Sequence, residues 1–339
     1  MKKIIFLLIA LSIVACKKER KENLKVTKPT QKTELQLQAN NFFKPISSLA
    51  YEVIPENKIE LGKKLYFDTR LSKDGNISCN SCHNLNTFGV DNLPTSPGDT
   101  RELGSRNSPS VIYASLHAKQ FWDGRAKDVE EQAGMPILNP VEHNIPSEEF
   151  LVSRVKDIEE YQELFKEVYP DEENPVTFKN LTGAIGAFER QFLPESRFDK
   201  WLEGDETALN KHEKDGLKAF IDNGCIACHN GVALGGQLMQ KFGLYGNYWE
   251  FTKSKLIDAG LYDLTKKDSD KYIFKTPSLR NIEKTYPYFH DGSIDSLEEA
   301  VKIMAKLQNN KEPSEIETKN IVSFLKTLTA DIDDKHKTL

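Results

Sequence analysis

Apolar residues recur at helical spacing along most of this chain. In residues 147–170, Leu151, Val155, Ile158, Phe165 and Val168 predict one helix, opened by Ser147 with Glu148 and Glu149 in its first turn and stopped by Pro170. In residues 177–192 the same spacing runs through Leu181, Ile185, Phe188 and Phe192. Residues 313–328 begin with Pro313 and a Ser314–Glu317 capping box, then place Ile321, Phe324, Leu325 and Leu328 on one face. Leu297, Ala300, Val301 and Met304 follow the i, i+3, i+4, i+7 rule, which puts Met304 on the buried face of a helix. No alternating run of comparable quality predicts a strand. The expected fold class is mainly α, with long loops.

Part of the pattern occurs twice. "LGKKLYFD" precedes "CNSCHN" at 79–84, and "DGLKAFID" precedes "CIACHN" at 225–230. Each copy is a short helix with glycine, apolar residues and an acid, followed by C-x-x-C-H. Two related units are expected, residues 45–200 and 201–330, joined near 194–210, with a tail at 331–339.

The N-terminus breaks the helical pattern. Lys2 and Lys3 precede the apolar run "IIFLLIALSIVA", which is too short to cross a bilayer comfortably and ends at Cys16. Residues 1–16 read as the signal of an exported lipoprotein with Cys16 lipidated, which places the protein in a bacterial periplasm, anchored to a membrane by lipid alone. Residues 17–44 are polar and read as a flexible tether. Loss of Lys2 and Lys3 with the signal takes the formal charge from −5 to −7, which argues against nucleic acid as a partner. Hydrophobic content of 38% and charge of 29% suit ordinary cores rather than membrane spans.

With Cys16 set aside, all four remaining cysteines lie in the two motifs. A cysteine pair two apart can take both vinyl groups of one porphyrin, and the next residue then lies under the ring. That is why His83 follows Cys82 and His229 follows Cys228 in a haem c attachment pattern. Zinc would need four ligands, so the two distant motifs would have to meet. Disulfides, which an exported protein could form, do not call for the histidines. Two haem c groups are expected. The sixth iron position then decides the chemistry. Of the methionines left after export (Met135, Met239 and Met304), Met304 is placed best for it.

The segments "CNSCHNL", "GVDNLPTS", "SRNSPSV", "FWDGRAKDVEEQA", "NPVEH", "GCIACHNG", "TPSLRN" and "YPYFHDGSIDSLEEAVKIM" together resemble the bacterial dihaem cytochrome c peroxidases, over about residues 45–330. The resemblance implies two cytochrome c-like domains, each with one covalently attached haem. It implies reduction of hydrogen peroxide to water with electrons from a small donor protein, a cytochrome c or a copper protein, and a possible homodimer. His83 would serve the N-terminal haem, where peroxide binds, and His229 and Met304 the C-terminal haem. Trp122 would lie on the electron route, and Gln132 and Glu142 in the peroxide pocket. Asn107, Thr285 and Pro287 would hold a calcium ion, for which hard oxygen donors are suited. Many family members carry a histidine after "PTSxG" that closes the peroxidatic haem at rest. This chain has Asp99 there, so the N-terminal haem is expected to be open when oxidised. His143 follows Glu142 and reads as a partly exposed loop histidine or as a group tuning the pocket. His117 has less support, and His290 matches a family histidine near the C-terminal haem without a catalytic role. Two other classes of function compete. A dihaem carrier would need no open site, and a dihaem enzyme oxidising a protein substrate would carry tyrosine in place of the methionine.

Overall fold

The computed structural model describes residues 32–50 and 52–339. The signal and Cys16 lie outside the described residues. Among the described residues, no helix is long and apolar enough to cross a membrane. Thirteen α-helices follow one another among the described residues: α1 (Glu34–Phe42), α2 (Glu56–Phe67), α3 (Cys79–Cys82), α4 (Val129–Leu138), α5 (Glu148–Lys156), α6 (Glu159–Val168), α7 (Phe178–Glu189), α8 (Arg197–Glu203), α9 (Lys211–Asp222), α10 (Tyr248–Thr252), α11 (Tyr262–Thr265), α12 (Leu297–Asn309) and α13 (Glu315–Lys326). The strands β1 (Met239–Lys241) and β2 (Ile273–Lys275) form one antiparallel pair, with Met239 opposite Lys275.

The repeat in the sequence becomes a repeat in packing. Gly62 of α2 lies against α7 so closely that a Cβ there would stand 1.9 Å from the Ala184 carbonyl oxygen. Gly216 of α9 lies against α13 in the same way, with the Asn320 carbonyl oxygen 1.8 Å from an added Cβ. Each half is thus a pair of helices crossing at a glycine, and each pair leads into a cysteine motif. Leu61, Leu65 and Tyr66 of α2 and Leu181, Ile185 and Phe188 of α7 build the first core. Leu217 and Phe220 of α9 and Ile321, Phe324 and Leu325 of α13 build the second. Phe242, Tyr248, Phe274 and Leu307 gather a third cluster beside β1, β2, α10 and α12.

Three expectations need correction. Residues 147–170 hold two helices, because Ile158 is extended (φ −102°, ψ 109°) and starts α6 as its N-cap. The acidic pair Glu159–Glu160 suits a new N-terminus, while Arg154 and Lys156 suit the end of α5. The tether does not reach residue 44. Thr33 and Gln36 form a capping box, Gln36 Nε2 donates to the Trp201 carbonyl at 2.8 Å, and Ala39 and Phe43 are buried in the second core. The tail is packed as well. Ile332 joins the first core, and the His336 ring lies 5.7 Å from Phe188 and 6.0 Å from Phe192. The two ends of the chain therefore cross over: α1 completes the C-terminal half and residues 332–336 complete the N-terminal half. The change of core falls between Phe192 and Phe198, so α8, with Phe198 and Trp201 fully buried, belongs to the second half.

Replacing Gly62 with alanine should force α2 and α7 apart and cost on the order of 1–3 kcal/mol or more. Chemical denaturation of the holoprotein measures this, and an unchanged midpoint would contradict the close crossing.

Candidate haem sites

The two motifs form the same local turn. The His83 amide donates to the Cys79 carbonyl at 2.9 Å, and the His229 amide donates to the Cys225 carbonyl at 3.0 Å. A Ser78–Ser81 capping box opens the first turn, and Gly224 (φ +82°) opens the second. In each turn the two cysteines and the histidine fall at i, i+3 and i+4, which share one side of a helical turn.

The residues fit haem c better than zinc or disulfides. All four thiols are free. Burial pushes Cys225 up to about 12 and Cys82 up to about 11, and raises Cys79 and Cys228 too. Among the described residues, no group of three or more His, Cys, Asp or Glu side chains is arranged to hold a metal ion, so the two motifs do not meet around a zinc. Burial lowers the pKa of both histidines, His229 to about 4, and leaves neutral imidazoles. His229 Nδ1 donates to the Leu234 carbonyl at 3.2 Å, which leaves Nε2 unprotonated for iron. His83 Nδ1 is buried without a hydrogen-bond partner.

A cavity of about 220 Å³ opens beside the second motif, several times the ~30 Å³ share of one water molecule. Cys225, Cys228, His229 and Met304 all line it. So do Leu297, Ala300 and Val301, so the face of α12 read as core faces this cavity. The other side of α12, with Ile303 and Leu307, packs into protein. Trp122 also lines the cavity, with its Nε1 donating to the Asn107 carbonyl at 2.9 Å. Asn107, Thr285 and Pro287 are brought together at its wall, where the Asn107 amide donates to the His290 carbonyl at 2.7 Å. Asn107 Nδ2 donates to Leu93, which leaves Oδ1 without a donor. Asn92 Nδ2 caps the carbonyls of Lys284 and Tyr286, while those of Thr285 and Pro287 receive no hydrogen bond from the described residues.

Around the first motif, Tyr66 Oη donates to the His83 carbonyl at 2.6 Å. Glu142 lies near enough to Cys82 for its charge to help raise that thiol, after burial and Asp91. Burial also raises the Glu142 pKa; the Arg125 charge and a 2.7 Å hydrogen bond from Asn139 Nδ2 to Oε1 oppose it. Gln132 is half-buried on α4, and among the described residues its side-chain amide has no hydrogen-bond partner. Asp99 is buried. Its carboxylate accepts from the Asp74 amide at 3.2 Å, and its own amide donates to the Glu142 carbonyl at 2.8 Å. His143 is buried rather than a loop-surface residue, with Nδ1 donating to the Leu71 carbonyl at 3.0 Å. His290 stacks on Phe274 at 4.3 Å.

The Di-haem cytochrome c peroxidase family model matches residues 56–207. Cytochrome c551 peroxidase of Nitrosomonas europaea is 48% identical over 299 residues, covering 87% of this chain and 86% of that protein. Its counterpart in Pseudomonas aeruginosa is 45% identical, covering 86% and 85%. The chain belongs to the dihaem cytochrome c peroxidase family. A solved MauG-like protein associated with microbial copper homeostasis superposes with a TM-score of 0.74 at 26% identity, over 93% of this chain and 98% of that one. The mainly α fold with two cytochrome c-like halves and two haem c groups follows for this member of the family.

Two residues of this peroxidase site escaped the sequence reading, Glu189 and Lys275. Glu189 ends α7 near Cys79, fully enclosed, with Oε2 lacking a partner and burial pushing its pKa up to about 8. Its only outward signal is an acid at the end of the apolar run "GAIGAF". The folded carboxyl keeps its proton to about 8, and the unfolded one releases it near the ordinary 4.5. Glu189 therefore makes stability fall as pH rises between those values. Glu189→Gln should flatten that slope and raise the denaturation midpoint of the holoprotein at alkaline pH. A slope unchanged in the variant would contradict the buried acid.

Proposed function

We propose that Glu142 and Gln132 handle peroxide at the first motif. His229 and Met304 would hold the iron of the second haem, Trp122 would lie on the electron route between the two haems, and Asn107, Thr285 and Pro287 would hold a calcium ion. The reaction is the reduction of hydrogen peroxide to water with electrons from a cytochrome donor; a small copper protein is a second candidate donor. The observation that carries this reading is the difference between the two motifs. His229 shares a cavity with Met304 and Trp122, whereas the partly buried carboxyl of Glu142 lies beside Cys82.

When bound, the two haems supply redox-active irons, one open to peroxide and one holding a reserve electron. Cleavage of the O–O bond needs a proton moved from the inner to the outer oxygen. Asn139 occupies Oε1 of Glu142, so Oε2 is the atom that takes the proton and returns it. The raised pKa of Glu142 brings proton release closer to working pH. Gln132 holds the peroxide by hydrogen bonds without titrating. Asp99 fixes the Glu142 main chain through the amide-to-carbonyl bond and leaves no side chain to close the first haem. A pure electron carrier would need no acid at that place, and Met304 in the position of a tyrosine favours peroxide over a protein substrate. The protein is exported, with Cys16 as the lipid attachment, in keeping with the N-terminal sequence.

Glu142→Gln should lower kcat by about 10²–10⁴-fold with haem spectra unchanged. In the wild type, activity should fall with acid through a pKa above the ordinary 4.5, because Glu142 must start as the base; a full rate in the variant would remove its role. Fully oxidised wild-type holoprotein, mixed with peroxide in a stopped-flow cell, should react without prior reduction. A low-spin bis-histidine signal from the N-terminal haem would contradict the part given to Asp99.

A further inference from the structure

The cavity beside the second motif also contains His117 and Lys275, which no role above uses. Lys275 ends β2 and is only 5% exposed. Its Nζ donates to His117 Nδ1 at 3.1 Å, and no other side chain or carbonyl among the described residues receives it. An ammonium has three hydrogens to place, so two are unmet. Because Nδ1 accepts, the proton of the neutral His117 ring sits on Nε2, and that N–H is buried without an acceptor. The ring cannot swing away easily. It packs against Gly236, where an added Cβ would stand 2.3 Å from His117 Cδ2, and the Ala118 amide is tied to the Gly236 carbonyl at 3.0 Å.

The nearest carboxylate does not answer this need. Asp123 acts on Lys275 through its charge, but its oxygens accept from Arg106 at 2.5 Å and from Arg125 at 2.9 and 3.0 Å. Burial alone pulls Lys275 down to about 7, the mark of an ammonium without its counter-ion. A buried ammonium with two hydrogens unmet beside a cavity is a receptor for an anion with acceptor oxygens, such as a carboxylate.

Haem c carries two such groups as propionates. We infer that Lys275, positioned by His117 Nδ1, donates to a propionate of the haem attached at Cys225 and Cys228. The inference rests on the haem reading of the second motif. The contact also reaches the electron route, because the Lys275 amide donates to the Trp122 carbonyl at 2.7 Å. One residue thus grips the cofactor edge with its side chain and the tryptophan with its main chain. A buried cation beside the ring disfavours the ferric state, so Lys275 raises the potential of this haem.

The test uses holoprotein carrying Lys275→Met, Lys275→Arg or His117→Phe. A haemochrome assay first counts two haems per chain; a lower count in the wild type would sink the haem reading itself, separately from this proposal. Resonance Raman then reads the propionate bending band of the C-terminal haem, and a redox titration reads its midpoint potential. Lys275→Met should shift the band and lower the potential, Lys275→Arg should keep both near wild type, and His117→Phe should shift the band with a smaller change in potential. A wild-type band and potential in Lys275→Met would overturn the proposal. If that variant does not fold, an unshifted band in His117→Phe would do the same.

Discussion

A porphyrin bound through C-x-x-C-H imposes a single local constraint: the histidine must sit one residue beyond the second thioether. Both motifs meet it with the same turn, in which the histidine amide closes on the first cysteine carbonyl. The turn makes two alike attachment points. It does not make them chemically equal, and the surroundings supply the difference. Around the second motif, α12 swings a methionine, three aliphatic residues and no acid toward the cavity. Around the first, the loop after α4 brings a carboxyl near Cys82. In the proposed function, the first site moves protons and the second stores an electron.

Such a division works only if the halves keep a fixed relation. Asp199 and Arg280, both wholly buried, hold them at the junction with two hydrogen bonds of 2.7 and 2.8 Å. Asp199 also accepts from the Ile46 amide at 3.0 Å, and Arg280 lies 5.0 Å above the Tyr113 ring, so residues of the first core close on a pair from the second half. Removing either partner of such a pair strands a buried charge, typically at a cost of about 3–5 kcal/mol. The crossed termini add a second tie, since neither half is complete without the far end of the chain.

Much of this was legible in the sequence where one residue's neighbours in the chain decide its place. The Ser314–Glu317 box, the Ser147 cap, the α12 face with Met304 and the glycine shared by both copies of the repeat depend on spacing alone, and each has its counterpart in the structure. Legibility ended where distant segments meet. Polar composition hid α1, because its buried apolar anchors, Ala39 within it and Phe43 at its C-cap, are outnumbered by amides and acids. Lys275 reads as an ordinary strand lysine until β2 is seen to carry it into the cavity. Asn107, Thr285 and Pro287 came from resemblance, since they lie on two loops far apart in the sequence that both line one cavity. His143 was read as a loop residue, because nothing local shows that Leu71 waits to accept from it.

The central claim is that protein ligands close one iron and leave the other open. Cyanide titration of the oxidised holoprotein, beside Met304→Ala, tests it most directly. Wild type should bind a single equivalent for its two haems, and the variant should bind a second. Saturation of both haems in the wild type, or of neither, would contradict the account.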